Sequence, residues 1–413
     1  MNAPHRRGAC PGLSAPMPTG DGLLVRLMPA EPIPLEKFIA VCAAARQYGN
    51  GTVEVTARGS LQVRGLTPSS APQFASAVAA LDISAIEGVP VIADPLPDDA
   101  AAVIDAANLA AAVRRAIADA RLALAAKVSV VIDSGSHLHL DALAADVRLR
   151  ASGQRLHVAL GGDAASATPL GSITPDTAAA AVIRLLGVIA QHGPTARAVD
   201  VLCEDGIAVF RSAVDSYISA APDLRPRPPA ATIGRHPRRN GSVALGVALA
   251  FGHAHADVLC GLARIAATLG VRSIRPAPGR ALLLIGAAPD DATALATAAD
   301  DLGFVVRADD PRRSIVACPG KPACAFGLIA ARALAAEVAP HLPARSGTIH
   351  ISGCAKGCAH PAAAALTVVG TERGCGIVRD GSARAAPHRH VAPADVVAEI
   401  VRIAIPSSEA LHG

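Results

Sequence analysis

Hydrophobic and polar positions fall into two rhythms along this chain, and the same succession of rhythms occurs twice. Residues 23–65 run from an apolar stretch ("LLVRLM") to a period-3.6 segment ("LEKFIAVCAAARQYG") and two alternating stretches ("TVEVTA", "SLQVRG"). Alternation predicts half-buried strands and the longer period predicts an amphipathic helix. Residues 245–286 repeat that order at almost the same length: "LGVALAF", "ADVLCGLARIAATLG", "VRSIRPA", "RALLLIG". A further helical pattern follows each, "APQFASAVAAL" and "DATALATAADDL". Each unit predicts a ferredoxin-like half-domain, with helices on one face of a small sheet.

Longer α/β segments follow both units. After the first come a helix ("AANLAAAVRRAIADARLALAA"), strands ("KVSVVIDSG", "DVRLRAS", "RLHVALGG") and a helix ("DTAAAAVIRLLGVIAQHG"). After the second come a helix predicted over 323–339 ("ACAFGLIAARALAAEVA"), strands ("GTIHISG", "AALTVVG", "GIVRDG") and a last helix. Residues 223–241, "DLRPRPPAATIGRHPRRNG", lack periodicity and read as a Pro/Arg-rich linker. The expected fold is mixed α+β: half-domains at 1–88 and 242–308, α/β domains at 89–222 and 309–413, in a pseudo-two-fold arrangement. Ligands of such arrangements lie between the halves.

Composition narrows the function. Among 413 residues 51% are hydrophobic but only 2% aromatic, with no Trp, so the core must be built from Ala, Val, Leu and Ile. Mean hydropathy is +0.39, yet no apolar run reaches the ~18 residues that span a bilayer. The start, "MNAPHRRGACPGL", has no signal-type apolar stretch. A soluble cytoplasmic protein without a membrane partner is expected. A net charge of +4 without basic helices or stacking aromatics gives no support to nucleic-acid binding. Arginine outnumbers lysine, which suits clamping carboxylates.

Nine cysteines in a reducing compartment do not suggest a disulfide framework. Cys318 and Cys324 frame "CPGKPAC", and Cys354 and Cys358 frame "CAKGC". Four gathered thiolates point to metal. A zinc turn usually spaces its pair by two to four residues, which the first pair exceeds. A [4Fe–4S] cube takes one thiolate per iron and accepts wider, unequal spacings. Zinc and buried structural thiols remain the alternatives. Placing Cys324 at a helix start adds a dipole that favours thiolate.

"TARGSLQVRG" places Arg58 in a turn, with Gln62 and Arg64 on one face of the following strand. That face suits an anionic ligand, though a solvated sheet face has the same pattern. Lys127 stands at the mouth of a strand, and Arg275 and Arg280 flank the matching hairpin of the second unit. Among the histidines, His360 lies two residues beyond Cys358, whereas His388 and His390 fall in a tail loop.

The cysteine pairs, the repeated half-domains and the "TARGSLQVRG" hairpin together resemble the sulfite and nitrite reductase superfamily over nearly the whole chain. Within it, "GACPGL", "MPTGDGLLVRL", "AAKVSVVIDSGSHLHL", "ADVRLRA" and "SGCAKGCAHP" resemble the precorrin-3B synthase family. The resemblance implies two sulfite-reductase-like α/β domains and a [4Fe–4S] cluster on Cys318, Cys324, Cys354 and Cys358. It implies a tetrapyrrole- and substrate-facing Arg58 and an active-site Lys127. A tetrapyrrole substrate needs cations for its peripheral carboxylates, and Arg64, Arg275 and Arg280, with Gln62 on the same face as Arg64, are the expected further binding residues. It also implies O₂-dependent hydroxylation and lactonisation of precorrin-3A in aerobic cobalamin biosynthesis. A mononuclear non-haem iron, NAD(P)H as electron source and an electron donor are its further implied partners; His360 and Cys10 are the candidate iron ligands. The chain departs from siroheme reductases where Ser129 replaces a second lysine, and where Val89 and Pro90 stand in place of an arginine. A small oxyanion would lose part of its cationic clamp there. A siroheme-dependent sulfite or nitrite reductase is the alternative enzyme, and a tetrapyrrole-binding electron-transfer module the non-enzymatic one.

Overall fold

The computed structural model describes residues 11–220, 224–344 and 347–404; Cys10 lies outside them. The first unit comprises β1 (Met17–Thr19), β2 (Gly22–Leu27), β3 (Ile33–Pro34), α1 (Leu35–Tyr48), β4 (Thr52–Val55), β5 (Leu61–Leu66) and α2 (Ser70–Ala79). The first α/β unit follows with β6 (Val91–Ala93), α3 (Ala106–Ala120), β7 (Val130–Asp133), β8 (Ala145–Ser152), β9 (Arg155–Gly162) and β10 (Thr168–Ile173). Helices α4 (Ala178–Gln191), α5 (Ala198–Glu204) and α6 (Ala208–Ala213) complete it.

Beyond the linker come β11 (Gly234–Pro237), β12 (Val243–Ala248), β13 (His253–His255), α7 (Ala256–Thr268), β14 (Ser273–Ala277), β15 (Ala281–Ala287) and α8 (Ala292–Asp301). The last unit holds β16 (Ile315–Ala317), α9 (Ala331–Val338), β17 (Ile349–Ser352), β18 (Ala364–Thr371), β19 (Gly374–Gly381), β20 (Arg389–Val391) and α10 (Val396–Ala404).

The two half-domains exchange an edge strand. Their sheets run β1-β2-β5-β4-β13 and β11-β12-β15-β14-β3, so the short strand before each long helix joins the other half's sheet. Helices α1 and α7 pack together, and one apolar core containing Phe38, Phe74, Leu259, Leu262 and Leu284 serves both halves. The α/β sheets also share one topology, β6-β7-β8-β9-β10 and β16-β17-β18-β19-β20, each with three parallel strands followed by two antiparallel ones. Interior strand β7 is buried on both faces, which explains its apolar run Val130, Val131 and Ile132. Asp105 caps α3 by accepting a bond from the Asn108 N–H at 3.0 Å.

The helix expected over 323–339 begins only at Ala331. Backbone donors before it go to partners outside any helix: Ala325 N–H to Gly20 O (2.8 Å) and Leu328 N–H to Gly353 O (2.7 Å). Cys324 therefore sits in a turn, and no helix dipole acts on its thiol.

Candidate metal centre and its surroundings

The cysteine pairs occupy the carboxyl ends of neighbouring parallel strands. Cys318 directly follows β16, and the turn holding Cys354 and Cys358 follows β17. Three bonds lock the loops together: Cys318 N–H to Ile351 O (3.2 Å), Gly353 N–H to Cys318 Sγ (3.0 Å), and the Leu328 bond to Gly353. Lys356 Nζ lies 3.2 Å from the centroid of the Phe326 ring, joining the tips.

Glycine makes this closeness possible. A Cβ on Gly353 would stand 2.9 Å from Gly320 Cα and 3.4 Å from Cys318 Sγ, and one on Gly20 would stand 2.2 Å from Cys324 Sγ. Burial pushes the Cys318 thiol up; N–H groups of Gly353 and Gly320 oppose this, while Cys358 and Cys354 add to it. Both turns of thiols are thus within electrostatic reach of each other. Among the described residues no three of these sulfurs lie within 4.8 Å of one another. A tetrahedral zinc with bonds of ~2.3 Å would hold its sulfurs about 3.8 Å apart.

A charged layer ties this unit to the first sheet. Arg64 donates to both carboxylate oxygens of Asp21 (2.8 and 2.6 Å) and to Glu54 (3.2 Å). Glu54 also accepts from Arg332 on α9 (2.9 Å). Gln62 shares that face: its amide, oriented to satisfy both partners, donates to Glu54 and accepts from Arg26. His253, paired with Glu54 across β13 and β4, is pushed down to about 3 by burial and the neighbouring Arg332 charge.

The other predicted cations lie in three places. Exposed Arg58 donates to Ala144 O (2.8 Å) and to Ser129 Oγ (3.4 Å), two residues from exposed Lys127. Its hairpin meets the β14–β15 hairpin, where Gly279 N–H donates to Ala57 O (3.1 Å). Gly59 must be glycine there: its φ is +80°, and a Cβ would stand 2.8 Å from the Ala277 carbonyl carbon. Arg280 reaches the cysteine turn, donating to Ala359 O (3.2 Å), one residue past Cys358. Arg275 is buried, held by Ala30 O (3.3 Å) and lowered to about 10 by burial.

Sequence reasoning did not single out Asp21, Glu54, Arg332, His253 or His350. His350 is fully buried on β17, neither ring nitrogen has a hydrogen-bond partner, and its ring meets that of His360 edge-on at 5.7 Å between centroids. The alternation of "TIHIS" was the available signal for a His facing away from the helices.

Known proteins resolve the family. Residues 16–81 match the family model described as the nitrite/sulfite reductase ferredoxin-like half domain. A curated precorrin-3B synthase from a Sinorhizobium species is 39% identical over 400 residues, spanning 93% of this chain and 85% of that protein. The chain belongs to the precorrin-3B synthase family. The solved structure of Mycobacterium tuberculosis NirA shares the fold, with a TM-score of 0.71 at 18% identity over 92% of this chain and 80% of that one. The mixed α+β architecture expected from sequence is accordingly that of sulfite and nitrite reductases. Among the described residues no helix is long and apolar enough to cross a membrane.

Proposed function

We propose that this chain catalyses the precorrin-3B synthase reaction, O₂-dependent hydroxylation and lactonisation of precorrin-3A. The similarity to a curated precorrin-3B synthase along 93% of the chain carries this reading, and the four thiols at adjacent strand ends support it. One oxygen atom of O₂ enters the macrocycle and the other leaves as water, consuming two electrons and two protons; reduced nicotinamide supplies both electrons and one proton as hydride, directly or through a donor protein, and the second proton comes from solvent.

Cys318, Cys324, Cys354 and Cys358 would hold the [4Fe–4S] cluster. Bound there, the cluster supplies one-electron transfer. The chain's own residues do the rest. Arg58 and Lys127 present cations to the peripheral carboxylates of the macrocycle. Arg280 fixes the backbone one residue after Cys358, and the Glu54–Arg332 contact holds α9 against the first sheet. His253 stays neutral and adds no charge beside Arg64 and Arg332. Arg64, Gln62 and Arg275 act as positioning residues: carboxylates already engage Arg64 and Gln62, and Arg275 is buried against Ala30 O, whereas Arg58 stays exposed.

Anaerobically reconstituted protein given precorrin-3A, reductant and ¹⁸O₂ tests the reading. Product carrying one labelled oxygen atom is expected. A product without added oxygen, or sulfite reduction by a siroheme-bearing preparation with a Soret band, would replace it.

A further inference from the structure

A cavity of about 1030 Å³ lies on the face of the first α/β sheet opposite α3 and α4, with Arg211 of α6 at its edge. Strands β8, β9 and β10, loop 138–143 and linker residues 224–232 wall it, and Ala57, Pro278 and Gly279 bring the tips of both hairpins to its rim. None of the four cluster cysteines lines it, and neither does Lys127.

Strand register shows what this cavity faces. Ala93 pairs with Ile132 as Ala317 pairs with Ile351. Asp94 therefore stands where Cys318 stands, Ser134 where Gly353 stands, and counting onward His139 stands where Cys358 stands. The local bonding matches as well: Ser134 N–H donates to the Asp94 carboxylate (2.6 Å), as Gly353 N–H donates to Cys318 Sγ (3.0 Å). Residues 135–139, which lead into the cavity wall at 138–143, are thus the twin of the cysteine turn, without thiols to hold a cluster.

The lining is cationic over an apolar body. Arg148, Arg150, Arg211, Arg227 and Arg313 face Asp141 and Asp163. Arg227 bridges Asp133 and Asp141, anchoring the linker across the sheet. Burial and then the Arg227 charge lower Arg150, and burial and then Arg150 lower His157. Leu138, Leu140, Leu143 and Ala159 supply the apolar part. A large ligand with an apolar body and several carboxylates matches both the volume and the charge.

We infer that this cavity is a second binding site for a polycarboxylate macrocycle of the tetrapyrrole class, one that holds its ligand without chemistry. The ligand class rests on the proposed function; the site itself rests on the cavity and its arginines.

The test titrates uroporphyrin, an octacarboxylate, into the full reconstituted chain and follows porphyrin fluorescence to obtain stoichiometry. Two sites per chain are expected. Arg150→Glu should weaken one of them at least tenfold. Ala165→Trp, at an exposed lining position, should block the same site without altering charge, and iron and sulfide content should stay unchanged in both variants. A stoichiometry of one in the wild type, or two undiminished sites in both variants, overturns the inference. Absence of precorrin-3A turnover with this binding pattern intact removes the reaction proposed above and leaves the second site standing.

Discussion

Replacing Gly20 with alanine disturbs the thiol quartet at a single atom. The added Cβ would lie 2.2 Å from Cys324 Sγ and 2.9 Å from Phe326 Cδ2, where ordinary contact begins at 3.4 Å. The turn cannot simply swing away, because Gly20 O accepts the Ala325 N–H at 2.8 Å. Relief therefore moves the sulfur by about 1 Å, and overpacking of this kind costs ~1–3 kcal/mol. Metal–ligand distances tolerate only about 0.2 Å, so the displacement matters far more to cluster loading than to folding. Gly20→Ala should bind markedly less iron and acid-labile sulfide after anaerobic reconstitution, with a melting temperature within a few degrees of the wild-type apoprotein. Gly187→Ala is the control, since nothing lies within 4 Å of its added Cβ. Full iron and sulfide loading in Gly20→Ala would refute the placement of Cys324 as a ligand.

Gly187 lies inside α4, so the control should itself stabilise the chain by ~0.4–1 kcal/mol in chemical denaturation. Arg64→Met leaves the Asp21 carboxylate, 2% exposed, without its guanidinium, and should cost about 3–5 kcal/mol; a loss under about 1 kcal/mol would show that the layer is not needed for the fold. Arg58→Ala should weaken tetrapyrrole binding about tenfold to a hundredfold, the worth of one charge-assisted bond, with iron and sulfide content unchanged; loss of cluster would make the arginine structural. For His253, held down to about 3 when folded, the unfolded chain takes up the proton first as pH falls through about 6.5. Stability above that pH is unaffected, and about 1 kcal/mol should be lost between pH 6.5 and 5.5; His253→Gln should flatten that part of the profile.

The half-domains were legible because their strands and helices carry strong periodicity, and the cysteine pairs because their spacing is unusual. The strand exchange was not legible. β3 and β13 are two and three residues long, too short for any alternation, and their partners lie in the other half. The late start of α9 was hidden for a related reason: "ACAFGLIAARALAAEVA" has helical composition, but its first backbone donors bond to Gly20 and Gly353, far away in sequence. Arg64 and Gln62 were correctly placed on one face, yet the carboxylates they meet come from β4 and the β1–β2 turn. The thiol-free twin of the cysteine turn emerges only from strand register, since Asp94 and Cys318 occupy unlike local sequences.

Acid-labile sulfide in chain purified without oxygen tests the metal assignment most directly. About four sulfides per chain are expected, accompanied by at least as much iron. Stoichiometric zinc with no sulfide would contradict it.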